Sequence, residues 1–82
     1  MTPEIRRILG AKRAGAAHLI RYEMGVRGYT QTSLALTMGI SAMAVCKTVN
    51  GHSHSARILD KLIEIGVPEV YLFDPRGKQA AV

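Results

Sequence analysis

A chain of 82 residues is long enough for one small core, and its lone cysteine, Cys46, excludes an internal disulfide. Eleven Lys and Arg against six Asp and Glu give a net charge of +5, which favours polyanionic partners such as nucleic acid. Because no apolar run reaches the roughly 18 residues of a membrane span and no signal-peptide core follows the N-terminus, we expect a soluble, cytoplasmic protein that does not contact membranes.

Two helices are predicted before residue 28. The first begins with Thr2 and Pro3, a suitable N-cap and first-turn pair, and ends near Gly15. Its apolar stripe is Ile5, Ile8 and Leu9. The second covers about 16–27 and closes at Gly28. Its expected inward residues are Leu19, Ile20 and Met24.

Two short helices follow, over 31–38 and 42–49. Thr30 is a suitable N-cap for the first and Ser41 for the second, while Asn50-Gly51 ends the second because both residues tolerate positive φ. The expected core positions are Leu34, Ala35, Met38, Val45 and Val49.

A helix over 55–65, ended by Gly66, is predicted next, with Ile58, Leu59, Leu62 and Ile63 in the core. An apolar turn over 70–73 then either completes the core or forms a dimer contact. Residues 74–82 are expected to be a polar tail. The predicted fold is all-α, with four to five helices, divided into an N-terminal helix or basic arm (1–15), a central domain (16–73) and the tail (74–82).

The basic residues precede most of the acidic ones. No acidic side chain occurs between Glu23 and Asp60. Five basic residues lie between Glu4 and Glu23: Arg6, Arg7, Lys12, Arg13 and Arg21. This distribution predicts that the middle of the chain tolerates phosphates, although an ordinary solvated surface has the same pattern.

Residues 31–51 form the most informative segment. Two short helices joined by a short turn are the unit that presents a helix to the major groove of DNA. Ala35 is small where the two helices would cross, and Gly39 gives the turn its backbone freedom. Ile40 and Val45 can fill the wedge between the helices. The segment therefore predicts a helix-turn-helix.

The stretch QTSLALTMGISAMAVCKTVNG, residues 31–51, resembles the helix-turn-helix of the lambda-repressor and Cro-like family. The matching positions are Gln31, Leu34, Ala35, Gly39, Ile40, Ser41, Val45, Asn50 and Gly51. ARILDKLIEIGVPEVYLF, residues 56–73, is similar to the fourth helix and closing turn of small Ner-like phage regulators. The chain departs from the pattern at Thr48, where the family has a large aliphatic residue, and in its N-terminal extension 1–15, which would add a helix for dimer contact or a basic arm along DNA.

The resemblance implies a compact lambda-repressor-like domain acting in a bacterial or phage-infected cell. It implies a transcriptional regulator, expected to be a repressor, that binds double-stranded operator DNA as a homodimer and inserts helix 42–49 into the major groove. The expected base contacts are Ser41, Ala42, Met43 and Lys47. The expected phosphate contacts are Gln31, Thr32, Asn50, His52, His54 and Arg57. Asn50 is equally explained as a helix terminator.

Two alternatives remain open because helix 42–49 offers few base-contacting groups in its first turns. One is a protein-interaction module, antitoxin-like or an antirepressor subunit, that keeps the fold without base readout. The other is a non-specific nucleic-acid binder. Neither an enzyme nor a cofactor is expected, since Cys46 has no recognisable catalytic partners and no Gly-rich phosphate loop occurs. No metal site is expected either, because Cys46, His52 and His54 lack a fourth zinc ligand at a usual spacing.

Overall fold

The computed structural model describes residues 3–74, and within them the chain is all-helical, as predicted. The elements are α1 (Pro3–Val26), α2 (Gln31–Met38), α3 (Ala42–Val49), α4 (Ala56–Ile65) and a short 3₁₀ helix (Glu69–Tyr71). We call residues 50–55 the α3 loop and residues 67–74 the closing turn. No strand occurs in the described part of the chain.

The starts of α2, α3 and α4 follow from their N-caps. Thr30 and Ser33 form a capping box, in which the Thr30 hydroxyl accepts the Ser33 N–H at 3.0 Å and the Ser33 hydroxyl accepts the Thr30 N–H at 2.8 Å. Ser41 and Ser55 accept backbone N–H groups three residues further on, at 3.2 and 3.4 Å. The predicted bounds of α2 and α3 are confirmed, and those of α4 differ only in that Ser55 is its cap.

The predicted break near Gly15 is wrong, because α1 is one helix of 24 residues. A glycine inside a helix costs only about 1 kcal/mol relative to alanine. Buried residues lie both before and after Gly15, so packing holds the two halves in one helix.

The predicted apolar stripe Ile5, Ile8 and Leu9 is also wrong, because Ile5 and Ile8 are exposed and Leu9 is half-buried. Of the inward residues predicted for the second half, Ile20 and Met24 are confirmed as buried, whereas Leu19 is exposed. The other buried residues of α1 are Gly10, Arg13, Ala16 and Ala17. Three of the six buried residues, Gly10, Ala16 and Ala17, are small, so the chain that packs on this side can come close to the helix backbone.

The core lies where the four helices meet the closing turn. Its largest fully buried apolar side chains are Ile20, Met24, Leu34, Ile58, Leu59, Leu62 and Leu72. The closing turn completes the core through Val67 and Leu72, whereas Val70 is exposed. Asp74 is buried, which corrects its placement in a polar tail; the rest of that predicted tail lies outside the described residues.

The departure at Thr48 has a structural explanation. Thr48 and Val49 are both fully buried, so Val49 supplies an apolar side chain in the last turn of α3. The Thr48 hydroxyl lies 3.0 Å from the hydroxyl of Ser53 and is therefore hydrogen-bonded. Thr48 thus ties α3 to its own loop.

Gly10 of α1 and Gly51 of the α3 loop bring two backbone segments into direct contact. A Cβ on Gly10 would overlap the carbonyl oxygen of Gly51, and a Cβ on Gly51 would overlap the backbone of Gly10. Gly51 also has a φ of 82°, which side-chain-bearing residues rarely adopt. Both positions therefore require glycine.

Gly10→Ala is expected to destabilise the protein by about 1–3 kcal/mol, because the added methyl meets backbone that no rotamer change can move aside. This cost opposes a helix-propensity gain of up to about 1 kcal/mol. Gly25→Ala on the same helix is the matched control, since a Cβ there meets nothing within 4 Å. Thermal unfolding followed by circular dichroism measures both, and equal stability of the two variants would contradict the close contact.

Candidate nucleic-acid interface

Helix α3 presents one side to solvent. Val45, Thr48 and Val49 are buried, whereas Ala42 and Lys47 on the other side are exposed. Met43 is the large apolar side chain of the helix that is exposed, at 66%. Cys46 is half-buried at the edge of this surface. The predicted base-contacting positions in α3 therefore lie on its outer surface, which we call the α3 outer face.

The turn before α3 sets the direction of that face. Gly39 adopts the left-handed conformation, with a φ of 72°, and its N–H reaches the carbonyls of Ala35 and Leu36 at the end of α2. Ile40 donates to the Ala35 carbonyl at 3.0 Å and packs against the core. The chain direction changes by 120° between α2 and α3, so α3 projects across α2.

A cleft of about 360 Å³ lies between the C-terminal half of α1 and the start of α2. Arg21, Gln31 and Thr32 are among its lining residues, none of which is acidic. The N-terminus of α2 adds partial positive charge through its free N–H groups and helix dipole. The cleft therefore combines a full positive charge with hydrogen-bond donors.

A second groove, of about 240 Å³, lies between α1 and the α3 loop. Arg7, Asn50 and His52 line it, again with no acidic residue among the lining groups. Asn50 lies at the end of α3, where its amide donates to the Cys46 carbonyl at 2.9 Å. The side-chain oxygen of Asn50, Oδ1, lies 3.4 Å from Nη1 of Arg21. Arg21 therefore connects the two grooves.

Four of the six predicted phosphate contacts line these grooves: Gln31, Thr32, Asn50 and His52. Arg57 lies elsewhere, because its Nη2 donates to the Met38 carbonyl at 3.4 Å in a pocket that also contains Asp60 and Glu64. His54 is half-buried and is directed at α1 rather than along a groove. The structure thus separates Arg57 and His54 from the other four.

Arg13 explains the position of His54. Arg13 is fully buried, although its charge alone suggests a surface residue. Each of its five N–H groups has an acceptor. The acceptors are the carbonyls of Leu72, Thr48, Ser53 and Phe73 and Nδ1 of His54, the last at 2.8 Å. One side chain therefore joins α1 to the end of α3, the α3 loop and the closing turn.

The charge of Arg13 is partly balanced within the protein. Burial lowers the pKa of Arg13, and the nearby carboxylate of Asp74 raises it. Phe73, which precedes Asp74, has a φ of 45° and offers its carbonyl to Nη2 of Arg13 at 3.4 Å. Such a backbone conformation is unfavourable for a residue with a side chain. The guanidinium helps to hold the chain in it.

His54 must accept the hydrogen bond from Arg13, which requires an unprotonated Nδ1. Burial lowers the pKa of His54 below its ordinary value, and the charges of Arg13 and Arg6 lower it further. A hydrogen bond with the backbone of Arg6 and the charge of Asp74 act in the opposite direction.

Sequence reasoning missed Arg7 and Arg21 as groove residues and Arg13 as a buried one. Arg7, Ala14 and Arg21 are seven residues apart and so share one side of a continuous helix, but only if no break occurs at Gly15. Arg13 precedes Ala17 by four residues and Ile20 by seven, which places it on the buried side. Both signals become visible once α1 is taken as one helix.

No protein-family model, curated protein or solved structure matches this chain. Between residues 3 and 74 no single helix is long and apolar enough to cross a membrane; α2 and α3 reach that length and composition only together, across their 120° bend. Within the same residues no group of three or more His, Cys, Asp or Glu side chains is placed to hold a metal ion.

The stability of the protein is expected to fall as the pH is lowered from 7.5 to 5.5. The pKa of His54 is lower in the folded chain, so the unfolded chain binds the proton more readily. The stabilisation is therefore complete above the unfolded pKa of about 6.5 and is lost as the pH falls through the folded-state pKa.

His54→Asn tests the origin of this pH dependence, because the asparagine side chain offers an oxygen near the position of Nδ1 but does not titrate in this range. We expect the variant to lose most of the pH dependence of its unfolding midpoint between pH 7.5 and 5.5. An unchanged slope in His54→Asn would show that another group is responsible.

Proposed function

We propose that the chain is a sequence-specific DNA-binding transcriptional regulator that inserts α3 into the major groove through a helix-turn-helix formed by α2 and α3. The observation that carries this proposal is the exposed α3 outer face, together with two acid-free grooves that each contain an arginine from α1, one at the start of α2 and one at the end of α3. A groove of DNA offers base edges between two rows of phosphates, and this arrangement is complementary to it.

The geometry of α2 and α3 supports the proposal. Their 120° change of direction lies at the upper end of the roughly 90–120° range of helix-turn-helix units. The turn between them has a left-handed glycine at Gly39, and small Ala35 is buried on α2 beside it. The outer face of α3 is not used by the core, so it remains available to a ligand.

Lys47 and Met43 are the proposed base contacts with the best access. The Lys47 ammonium can donate to the acceptors of guanine, and the Met43 side chain can pack on the methyl group of thymine. Ser41 already accepts the Ala44 N–H at 3.2 Å, but its hydroxyl hydrogen is free to donate to a base or a phosphate. Ala42 leaves room for close approach beside it.

The two grooves are the proposed phosphate contacts. Arg21 and the first residues of α2, Gln31 and Thr32, would bind one backbone segment. Arg7 and His52 would bind another, on the far side of Asn50. In this proposal α1 contributes to the DNA surface directly, while His54 and Arg57 support the fold.

Two copies of the chain would bind together, with their α3 helices in successive major grooves about 34 Å apart. A protein bound across a promoter in this way would exclude polymerase, so repression is the proposed outcome.

One observation favours a second candidate, a protein-interaction module. Ala42 and Met43 are apolar, and Lys47 is the only charged side chain on the α3 outer face of the described chain. An apolar exposed helix face is also a surface for a protein partner. The two candidates differ in whether DNA is bound selectively.

Selection of bound sequences from a random pool of duplexes tests the proposal. The wild-type chain should enrich one sequence. Lys47→Ala or Met43→Ala should reduce the discrimination between bases at one position of that sequence by about 1–3 kcal/mol. Lys61→Ala is the matched control for Lys47→Ala, because it removes the same charge from α4, where Lys61 pairs with Glu64 at 3.4 Å. The control should select the wild-type sequence.

Arg21→Ala should behave differently from the α3 variants. It should weaken binding to all sequences alike, without a change of base preference. The slope of log affinity against log salt concentration should fall by about one, which corresponds to one lost phosphate contact. Failure of the wild-type chain to retain any duplex at low salt would overturn the proposal and favour the protein-interaction module. Equal retention of all sequences would favour a non-specific binder.

A further inference from the structure

Helix α1 carries a row of exposed side chains along the side that does not face the core. The row follows a heptad pattern, with places at 5, 8, 12, 15, 19, 22 and 26, the spacing of the a and d positions of a coiled coil. We call it the outer seam. Five of its members are large and apolar: Ile5, Ile8, Leu19, Tyr22 and Val26. Lys12 and Gly15 occupy the two places in the middle.

Packing among residues 3–74 leaves much of this row exposed. Ile8 is 48% exposed, Tyr22 66% and Val26 63%. The side of α1 that the core needs is a different one, marked by Arg13 and Ile20. The outer seam is therefore a second apolar surface on α1, in addition to the side that packs against the core. Exposed apolar surfaces of this kind mark contacts with another molecule.

The outer seam also lies apart from the grooves. Residues seven apart lie on the same side of a helix, so Arg7 and Arg21 lie on one line along α1. This line faces the two grooves. The seam places fall on neither this line nor the buried side. A molecule bound at the seam would therefore leave the α3 outer face open.

We propose that the outer seam binds the outer seam of a second copy of this chain, with the two α1 helices antiparallel and a two-fold axis near Gly15. The inference rests on the proposed function only for the expectation of a pair of copies, and it makes no use of DNA. It assigns the dimer contact to the N-terminal helix.

The antiparallel direction follows from the place of Lys12 in the seam. Gly15 lies at its centre, so Ile8 would face Tyr22 of the second copy and Ile5 would face Val26 of the second copy. Lys12 would lay the stem of its side chain against Leu19 of the second copy, while its ammonium stays near the ring of Phe73 in its own chain, 6.0 Å from the ring centroid. A parallel pair would instead place Lys12 against the same lysine of the second copy, which is unfavourable.

The helix dipoles favour this direction, because antiparallel helices oppose their dipoles. The seam runs along a helix roughly 36 Å long and 10–12 Å wide. Because side chains project from such a strip, it would bury on the order of 600 Å² on each copy, or about 1,200 Å² in total. This area is at the lower end of the range for stable interfaces.

Sedimentation equilibrium of the full chain without DNA tests the proposal. The wild-type chain should be a dimer, and Ile8→Lys or Tyr22→Glu should each weaken dimerisation by about 100-fold, because each places two charges in the seam. The double variant Ile8→Lys with Tyr22→Glu should dimerise again, since in an antiparallel pair each introduced lysine faces an introduced glutamate. In a parallel pair like charges would meet, and the double variant would stay dissociated.

Leu36→Lys is the matched control, because Leu36 is a 78% exposed apolar residue of α2 outside the seam. Its dimerisation should equal that of the wild-type chain, and circular dichroism of all variants should show unchanged helix content. A monomeric wild-type chain, an effect of Leu36→Lys as large as that of the seam variants, or a dissociated double variant would each overturn the proposal. DNA selection is measured separately, so a dimer that selects no DNA leaves this inference standing and refutes only the proposed function.

Discussion

The buried guanidinium of Arg13 is the interaction on which the rest of the structure depends. A guanidinium has five N–H groups, and burying it without acceptors would cost several kcal/mol. Here four backbone carbonyls and one imidazole nitrogen supply the acceptors, and Asp74 supplies a compensating charge. Those acceptors come from the end of α3, the α3 loop and the closing turn, so segments far apart in sequence are held at fixed distances from α1.

This arrangement makes α1 the organising element of the protein. One side of the helix is anchored in the core by Arg13, Ile20 and their neighbours. A second side, with Arg7 and Arg21, lies along the grooves at the start of α2 and the end of α3. The third side is the outer seam. Because one rigid helix carries all three, a proposed DNA contact and a proposed dimer contact keep a constant geometry relative to α3.

The sequence predicted the local features well because their causes are local. Thr30, Ser41, Gly39 and Gly66 determine where α2, α3 and α4 begin or end, and the exposed positions of α3 follow from those bounds. The side of α1 that faces the core was not predictable in the same way. It is set by contacts with residues some 40 positions away, such as the contact with Gly51. Two apolar rows compete on this helix, and the row with the larger side chains is the exposed one. The groove residues of α1 depend on which side of the helix faces the core, so they were missed as well.

Nuclear magnetic resonance of the arginine side chains tests the role of Arg13 most directly. Exposed guanidinium N–H groups exchange quickly with water, whereas a buried, hydrogen-bonded one is protected until the structure opens. At neutral pH the Nε–H of Arg13, assigned through its own side chain, should persist with slow exchange, in contrast to the exposed Arg6 and Arg7. Exchange of the Arg13 Nε–H as fast as that of those two residues would contradict the account.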